Sequence, residues 1–145
     1  MKSPLKLLLI ILFLLTAKSY SQSLSTGWVE FDQDSVSSYY YDGISAKSIN
    51  SAKPEIRIRQ VYNFAKRLSE VKNERVKTIE TLYLINLEDP KYSIKEVAYF
   101  DEAGAVLETF KYPSVDEFSK KDIFMFPITE GSLLMNFLRH IADSR

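Results

Sequence analysis

An amphipathic helical pattern near the carboxyl end of the chain limits what the rest can fold into. In residues 133–141 large apolar side chains recur at helical spacing, and polar side chains fill the opposite side. The apolar positions are Leu133, Leu134, Phe137, Leu138 and Ile141. A helix of about three turns must pack this apolar side on something. The β-rich segments before it are the candidate, so the chain predicts an α+β fold, a single antiparallel sheet of five to six strands packed against a C-terminal α-helix.

Short β-rich segments separated by turns precede that helix. Segments 92–100 and 105–112 flank Asp-Glu-Ala-Gly at 101–104, which predicts a β-hairpin. Further strands are predicted at 28–31, 36–41, 55–64, 76–87 and 123–126. Segment 44–49 is interpreted as a short return strand, 66–75 as a charged loop, and 115–121 as a helical turn. Thr129 is the predicted N-cap of the last helix.

Strand 55–64 carries the clearest alternation. Ile56, Ile58, Tyr62 and Phe64 are predicted to share one face, with arginines on the other. Gln60 and Val61 interrupt the pattern, which leaves a β-bulge and two-sided burial as alternatives.

Residues 1–21 predict an export signal outside the folded domain, which then spans 22–145. A positive start precedes the apolar run 7–15, and small residues follow. Cleavage is expected after Ser21, with cleavage after Ser19 as the alternative. The longest apolar run spans about 20 Å as a helix, and a bilayer core needs about 30 Å, which favours a signal peptide over a membrane anchor.

Loss of the signal changes the net charge. Lys2, Lys6 and Lys18 go with it, so 16 basic and 19 acidic residues remain, and 16 − 19 = −3. A negative chain is not favoured to bind nucleic acid or an anionic membrane. The chain has no cysteine, so it has no lipid-modified cysteine. We therefore expect a periplasmic or secreted protein that is not a lipoprotein and does not insert into a membrane after cleavage.

The residue types disfavour catalysis. Without cysteine there is no disulfide, thiolate zinc site or cysteine nucleophile, and one histidine cannot build a His-rich metal site. His140 falls late in the predicted helix, and the paired acids fall in predicted turns. The glycines form no phosphate-binding loop. We expect no enzyme and no cofactor, with a small hydrolase as the remote alternative.

A basic segment is the candidate binding surface. Residues 53–77 hold eight basic and three acidic side chains, a net charge of +5. The basic residues are Lys53, Arg57, Arg59, Lys66, Arg67, Lys72, Arg75 and Lys77. A one-signed patch favours encounter with an acidic protein partner. The alternative is a solvated strand face paired with acids on adjacent strands.

Several short motifs resemble one known family when taken in order. They are Trp28, Tyr41-Asp42, Ile49, Val61-Tyr62, Tyr99 to Gly104 with Val106 and Leu107, and Pro127 to Ser132. Together they are similar to the surface-adhesin protein E family of exported bacterial domains. The resemblance implies a six-stranded antiparallel sheet packed on a helix, and a protein-binding role.

The chain departs from that family's pattern in one respect. Family members carry two cysteines that join the sheet to the last helix, and the matching places near Leu87 and in 139–141 have none. The resemblance therefore implies that apolar contact, Leu87 against Leu138 or Ile141, holds the helix. We expect a non-enzymatic exported binding domain that uses either the basic segment or a face of the sheet, or alternatively a soluble periplasmic accessory protein with a structural or inhibitory role. Homodimerisation through an exposed strand is a further expectation.

Overall fold

The computed structural model of the chain describes residues 27–113 and 126–144. In this part, seven strands form one antiparallel sheet and an α-helix packs on it. The strands are β1 (Trp28–Gln33), β2 (Ser37–Asp42), β3 (Glu55–Leu68), β4 (Val71–Asn86), β5 (Lys91–Phe100), β6 (Val106–Lys111) and β7 (Phe126–Pro127). The helix α1 spans Leu133–Asp143, and a 3₁₀ helix spans Ser45–Asn50. The α+β class is confirmed, with more strands than the five to six predicted.

The strands follow one another through the sheet in chain order. β1 to β6 are each antiparallel to their neighbours, and β7 pairs with β5. β4 pairs along one edge of β5, so β6 and β7 share the other edge, β6 at 96–100 and β7 at 91–92. The two-residue β7 brings the number of strands above the prediction. The hairpin of β5 and β6 is confirmed.

Helix α1 covers one end of one sheet face. Phe137 is fully buried, and its ring centre lies 5.6 Å from that of Phe31 and 5.3 Å from that of Tyr41. A first cluster combines the helix with the sheet through Tyr41, Ala46, Ile56, Ile58, Ile85, Ile128, Leu134 and Phe137. Leu87, Leu138 and Ile141 all pack against it. The predicted packing of the helix on the sheet is confirmed.

The far ends of β3 and β4 form an arm, residues 63–77, that extends past the last residue pairs with β2 and β5. A second buried cluster joins Tyr62, Val71, Val76, Val97 and Tyr99. Val71 lies next to the turn of the arm and Val97 lies on β5, so the arm folds back over the sheet. β4 also contacts β6, although β5 separates the two in the sheet. The arm therefore buries apolar surface that α1 does not cover.

The arm corrects the prediction of a loop at 66–75. β3 continues to Leu68 and β4 begins at Val71, with Ser69 and Glu70 at the turn. Leu68 and Val71 pack in the second cluster, so apolar side chains spaced among the charged ones stabilise strand pairing here. The many charged residues of the segment made the spacing of its apolar residues hard to recognise in the sequence.

Phe64 corrects a second expectation. The β3–β4 register shifts between Val61 and Lys66, so several β3 residues stand opposite Lys77. This bulge turns Phe64 outward, where it is 81% exposed, and buries Ala65 instead. A bulge was one of the two predicted alternatives, but it lies after Val61.

The 3₁₀ helix Ser45–Asn50 stands where a return strand was predicted at 44–49. The Asp42 carboxylate accepts the Ile44 and Ser45 backbone N–H groups at 3.0 and 3.3 Å. The Ser45 and Ser48 hydroxyls donate to carbonyls three residues earlier, at 2.9 and 2.7 Å. These local bonds compete with a strand ladder, and they favour the turn of helix.

The N-cap of α1 is Ser132, where Thr129 was predicted. The Ser132 hydroxyl accepts the Met135 N–H at 3.3 Å. Gly131 has φ 74°, a left-handed conformation that separates Thr129 from the helix. The predicted helical turn at 115–121 lies outside the described residues, and the strand predicted at 123–126 enters them only at Phe126.

Candidate interaction surface

Arg57 and Arg59 lie on the sheet face opposite α1, within an ion-pair ladder. The Arg59 guanidinium donates to Glu80 at 3.0 and 2.5 Å, and its carbon lies 4.0 Å from the centre of the Trp28 ring. Arg57 donates to Glu96 at 3.2 Å and lies 3.8 Å from Glu80. These two cations are paired with acids on β4 and β5. This arrangement agrees with the alternative interpretation of the basic segment, in which a solvated strand face is paired with acids on adjacent strands.

Arg75 and Lys77 bind backbone carbonyls of the bulge in β3. The Arg75 guanidinium donates to the Ala65 carbonyl at 3.2 and 2.8 Å. The Lys77 ammonium donates to the Asn63 carbonyl at 3.0 Å. The bulge takes these two carbonyl groups out of the backbone pairing between β3 and β4. The two cations supply charged donors in place of the missing backbone N–H groups. Both cations therefore have an intramolecular role in shaping the arm.

Lys66 lies at the base of the arm over Tyr62. Its ammonium is 4.7 Å from the centre of that ring. It also interacts with Asp34, whose carboxylate accepts the backbone N–H groups of Val36 and Ser37, both at 2.7 Å. Those backbone hydrogen bonds lower the pKa of Asp34, and the charge of Lys66 contributes to the decrease. Lys66 is exposed, and among the described residues no ion pair joins it to an acid.

Burial raises the pKa of Tyr62 and of Tyr99, and the negative charge of Glu70 adds to both shifts. Glu70 sits at the turn of the arm, so the end of the arm lies near both rings. This electrostatic contact agrees with the packing of Val71 in the second cluster.

The remaining cations of the segment are Arg67, Lys72 and Lys53. All three are exposed. Among the described residues, Arg67 and Lys72 have no ion pair and no side-chain hydrogen bond. Lys53 precedes β3, and its side chain or backbone interacts with another group of the protein. The structure therefore concentrates available positive charge at Lys66, Arg67 and Lys72, which we call the arm cations.

His140 borders a separate groove of about 430 Å³ beside β1. Glu30, Phe31, Asp32 and Gln33 line the rest of it. The His140 ring centre lies 6.3 Å from that of Phe31, and the Asp32 carboxylate accepts the Asn136 amide at 2.8 Å. In the described part of the chain no hydrogen bond joins the His140 ring to an acid. The groove thus brings His140 beside two acidic residues, Glu30 and Asp32, and the Asp32 carboxylate is engaged by the Asn136 amide.

Sequence reasoning allowed a bulge in β3 but missed its position and the two cations that bind its carbonyl groups, although a signal was present. Apolar residues at 61, 62, 64 and 65 break strict alternation around Asn63. Such a break requires a residue to leave the pleat, but it does not tell which one. Arg75 and Lys77 bind carbonyl groups that the bulge makes available, and no pattern in the sequence indicates which carbonyls these are.

The fold and surface define a class of protein, a six-stranded antiparallel meander extended by β7, with one apolar face that a helix and a bent arm cover. Comparison with protein-family models, curated proteins and solved structures finds no match to this chain. Over residues 27–113 and 126–144, no helix has the length and apolar character needed to cross a bilayer. The same residues contain no cluster of three or more His, Cys, Asp or Glu side chains suited to a metal ion.

Proposed function

We propose that this chain is a non-enzymatic, exported bacterial binding domain that resembles surface-adhesin protein E and contacts an acidic protein through the arm cations. The observation that carries the proposal is the exposure of Arg67 and Lys72, without acidic partners in the described part of a chain whose net charge is negative after signal cleavage. Uncompensated positive charge of this kind accelerates encounter with an acidic surface. Export and the family resemblance rest on the sequence.

Salt and charge reversal test the contact. A partner is first recovered from envelope extract with the chain 22–145, and its affinity is then measured between about 0.1 and about 0.5 M salt. We expect affinity to fall with salt, and to fall about tenfold or more in Arg67→Glu/Lys72→Glu. Lys47→Glu is the control, because Lys47 is exposed, lies outside the arm in the 3₁₀ helix, and forms no ion pair among the described residues. Unchanged affinity in the double variant, or at high salt, would exclude the arm cations as the contact.

A second candidate is a soluble periplasmic accessory protein, structural or inhibitory, without an adhesive role. The absence of cysteine favours it, since neither a lipid anchor nor the family's disulfide can form. Protease treatment of intact cells separates the candidates. Digestion at the cell surface supports the adhesive role, and protection until the outer membrane is opened supports the accessory role.

A further inference from the structure

Phe64 is exposed in an unusual setting. Its side chain is 81% exposed, more than any other exposed large apolar residue in the described part of the chain. It projects from the bulge of β3, whose neighbouring side chain Ala65 is buried. An isolated exposed apolar residue is common on protein surfaces. The backbone around this one is what sets it apart.

Hydrogen bonds fix the main chain on both sides of Phe64. The Lys77 ammonium donates to the Asn63 carbonyl at 3.0 Å, and Arg75 donates to the Ala65 carbonyl at 3.2 and 2.8 Å. The Asn63 N–H also donates to the Val36 carbonyl at 2.8 Å, and its side-chain amide donates to the Ser35 carbonyl at 3.0 Å. The bulge is therefore held in place from β4 and from the β1–β2 turn.

An aromatic side chain that projects from a backbone fixed by hydrogen bonds on both sides has the properties of an interface anchor. Aromatic residues are enriched among the side chains that dominate binding energy, and ordering them before binding lowers the entropic cost. Lys66 and Arg67 follow Phe64 within three positions, and both are exposed. The arm thus presents a ring and positive charges together.

We propose that Phe64 is the apolar anchor of the binding surface, and that it inserts into an apolar site flanked by acidic side chains on a protein partner. This inference rests on the proposed function, since the same arm cations meet the acidic residues. Charge complementarity supplies specificity and speeds the encounter, and burial of the Phe64 ring supplies affinity. Arg75 and Lys77 act as positioning residues, because their cations are bound to the carbonyls on either side of the ring.

A protein partner fits the arm better than an anionic bilayer does. Glu70 and Glu74 lie on the same arm, and Asp34 interacts with Lys66 at its base. A flat anionic surface would repel these acids as it attracts the cations. A protein surface can place its negative charge next to Lys66 and Arg67 alone.

Two synthetic peptides test the proposal. One has two central leucines flanked by glutamates, and the other replaces the leucines with glycine and serine. Their affinities for the chain 22–145 are measured by NMR titration at low salt, together with phosphatidylglycerol vesicles. We expect the leucine peptide to bind about tenfold more tightly, with shifts at Phe64. We expect Phe64→Ala to remove the difference, and Phe64→Leu to keep most of it.

Ile44→Ala is the matched control, because Ile44 is 71% exposed and lies outside the arm. It should leave the preference unchanged. Equal affinity of both peptides, with Phe64→Ala unaffected, would overturn the anchor and leave the acidic contact intact. Binding of neither peptide would overturn both, and binding of vesicles alone through Phe64 would replace the protein partner with a membrane. Unchanged thermal unfolding of Phe64→Ala checks its fold.

Discussion

At the scale of single residues, Phe137 and Phe64 show how position decides the role of the same side chain. Phe137 is fully buried between Phe31 and Tyr41, and Phe64 stands in solvent. We predict that Phe137→Ala lowers the free energy of unfolding by about 3–5 kcal/mol, because it leaves a cavity in the first cluster and removes two ring contacts. Urea unfolding of the chain 22–145 measures this. Phe64→Ala should change the same quantity by less than about 0.5 kcal/mol, and equal effects would contradict the packing.

Asp34 provides a prediction of pH dependence at the same scale. Its carboxylate accepts two backbone N–H groups at 2.7 Å and the Tyr39 hydroxyl at 3.1 Å, and the backbone bonds lower its pKa from the usual 3.8. A pKa that is lower in the folded state gives stability that is present above the unfolded value and is lost as pH falls through the folded value. We therefore expect Asp34→Asn to lose less stability than the wild type between about pH 4 and about pH 2. Urea unfolding of both chains at a series of pH values measures the difference, and equal losses would contradict the role of Asp34.

At the scale of elements, the ion-pair ladder explains how β3, β4 and β5 tolerate charged side chains in a sheet. Glu80 has a side chain only 12% exposed and lies between Arg57 and Arg59. We predict that Glu80→Gln lowers the free energy of unfolding by about 1–3 kcal/mol, since two partly buried guanidinium groups lose a charged partner. Chemical denaturation provides the measurement.

The same substitution at Glu130 is the control for the ladder. Glu130 pairs with Arg139, but its side chain is 73% exposed. An exposed pair contributes about 0–1 kcal/mol, so Glu130→Gln should have little effect. If the two substitutions cost the same, burial does not strengthen the ladder.

The elements also show what sequence can and cannot predict. The β5–β6 hairpin and the apolar side of α1 follow from local spacing, and both are confirmed. The arm does not, because its apolar positions are separated by charged residues and become buried only when the arm folds over Tyr99. Phe64 was predicted to face the core, since alternation alone cannot place a bulge. The basic residues also divide into three groups: those in the ion-pair ladder, those bound to the carbonyls of the bulge, and the arm cations. This division depends on contacts between residues far apart in the sequence.

At the scale of the whole molecule, the sheet has one apolar and one polar face. Ile79 and Tyr83 lie on the same face of β4 and pack against the second and first clusters respectively, so the arm and α1 cover one face together. The ladder occupies the other. Other parts of the chain therefore cover or pair with both faces. Among residues 27–113 and 126–144, the outer edges of β1 and β6 have no neighbouring strand, so their backbone groups can pair with another chain.

Of these two edges, β6 is the better suited to join two copies of the chain. β1 carries Glu30 and Asp32, which would repel their counterparts in an antiparallel pair. β6 carries one acid, Glu108, and one base, Lys111, and it has Val106 at 61% and Phe110 at 39% exposure. We predict a homodimer in sedimentation equilibrium at high concentration, which Val106→Lys converts to a monomer because an edge lysine opposes pairing. Val29→Lys places the same charge on β1 and should leave the dimer intact. A monomer for the unaltered chain 22–145 at every concentration would contradict pairing through either edge.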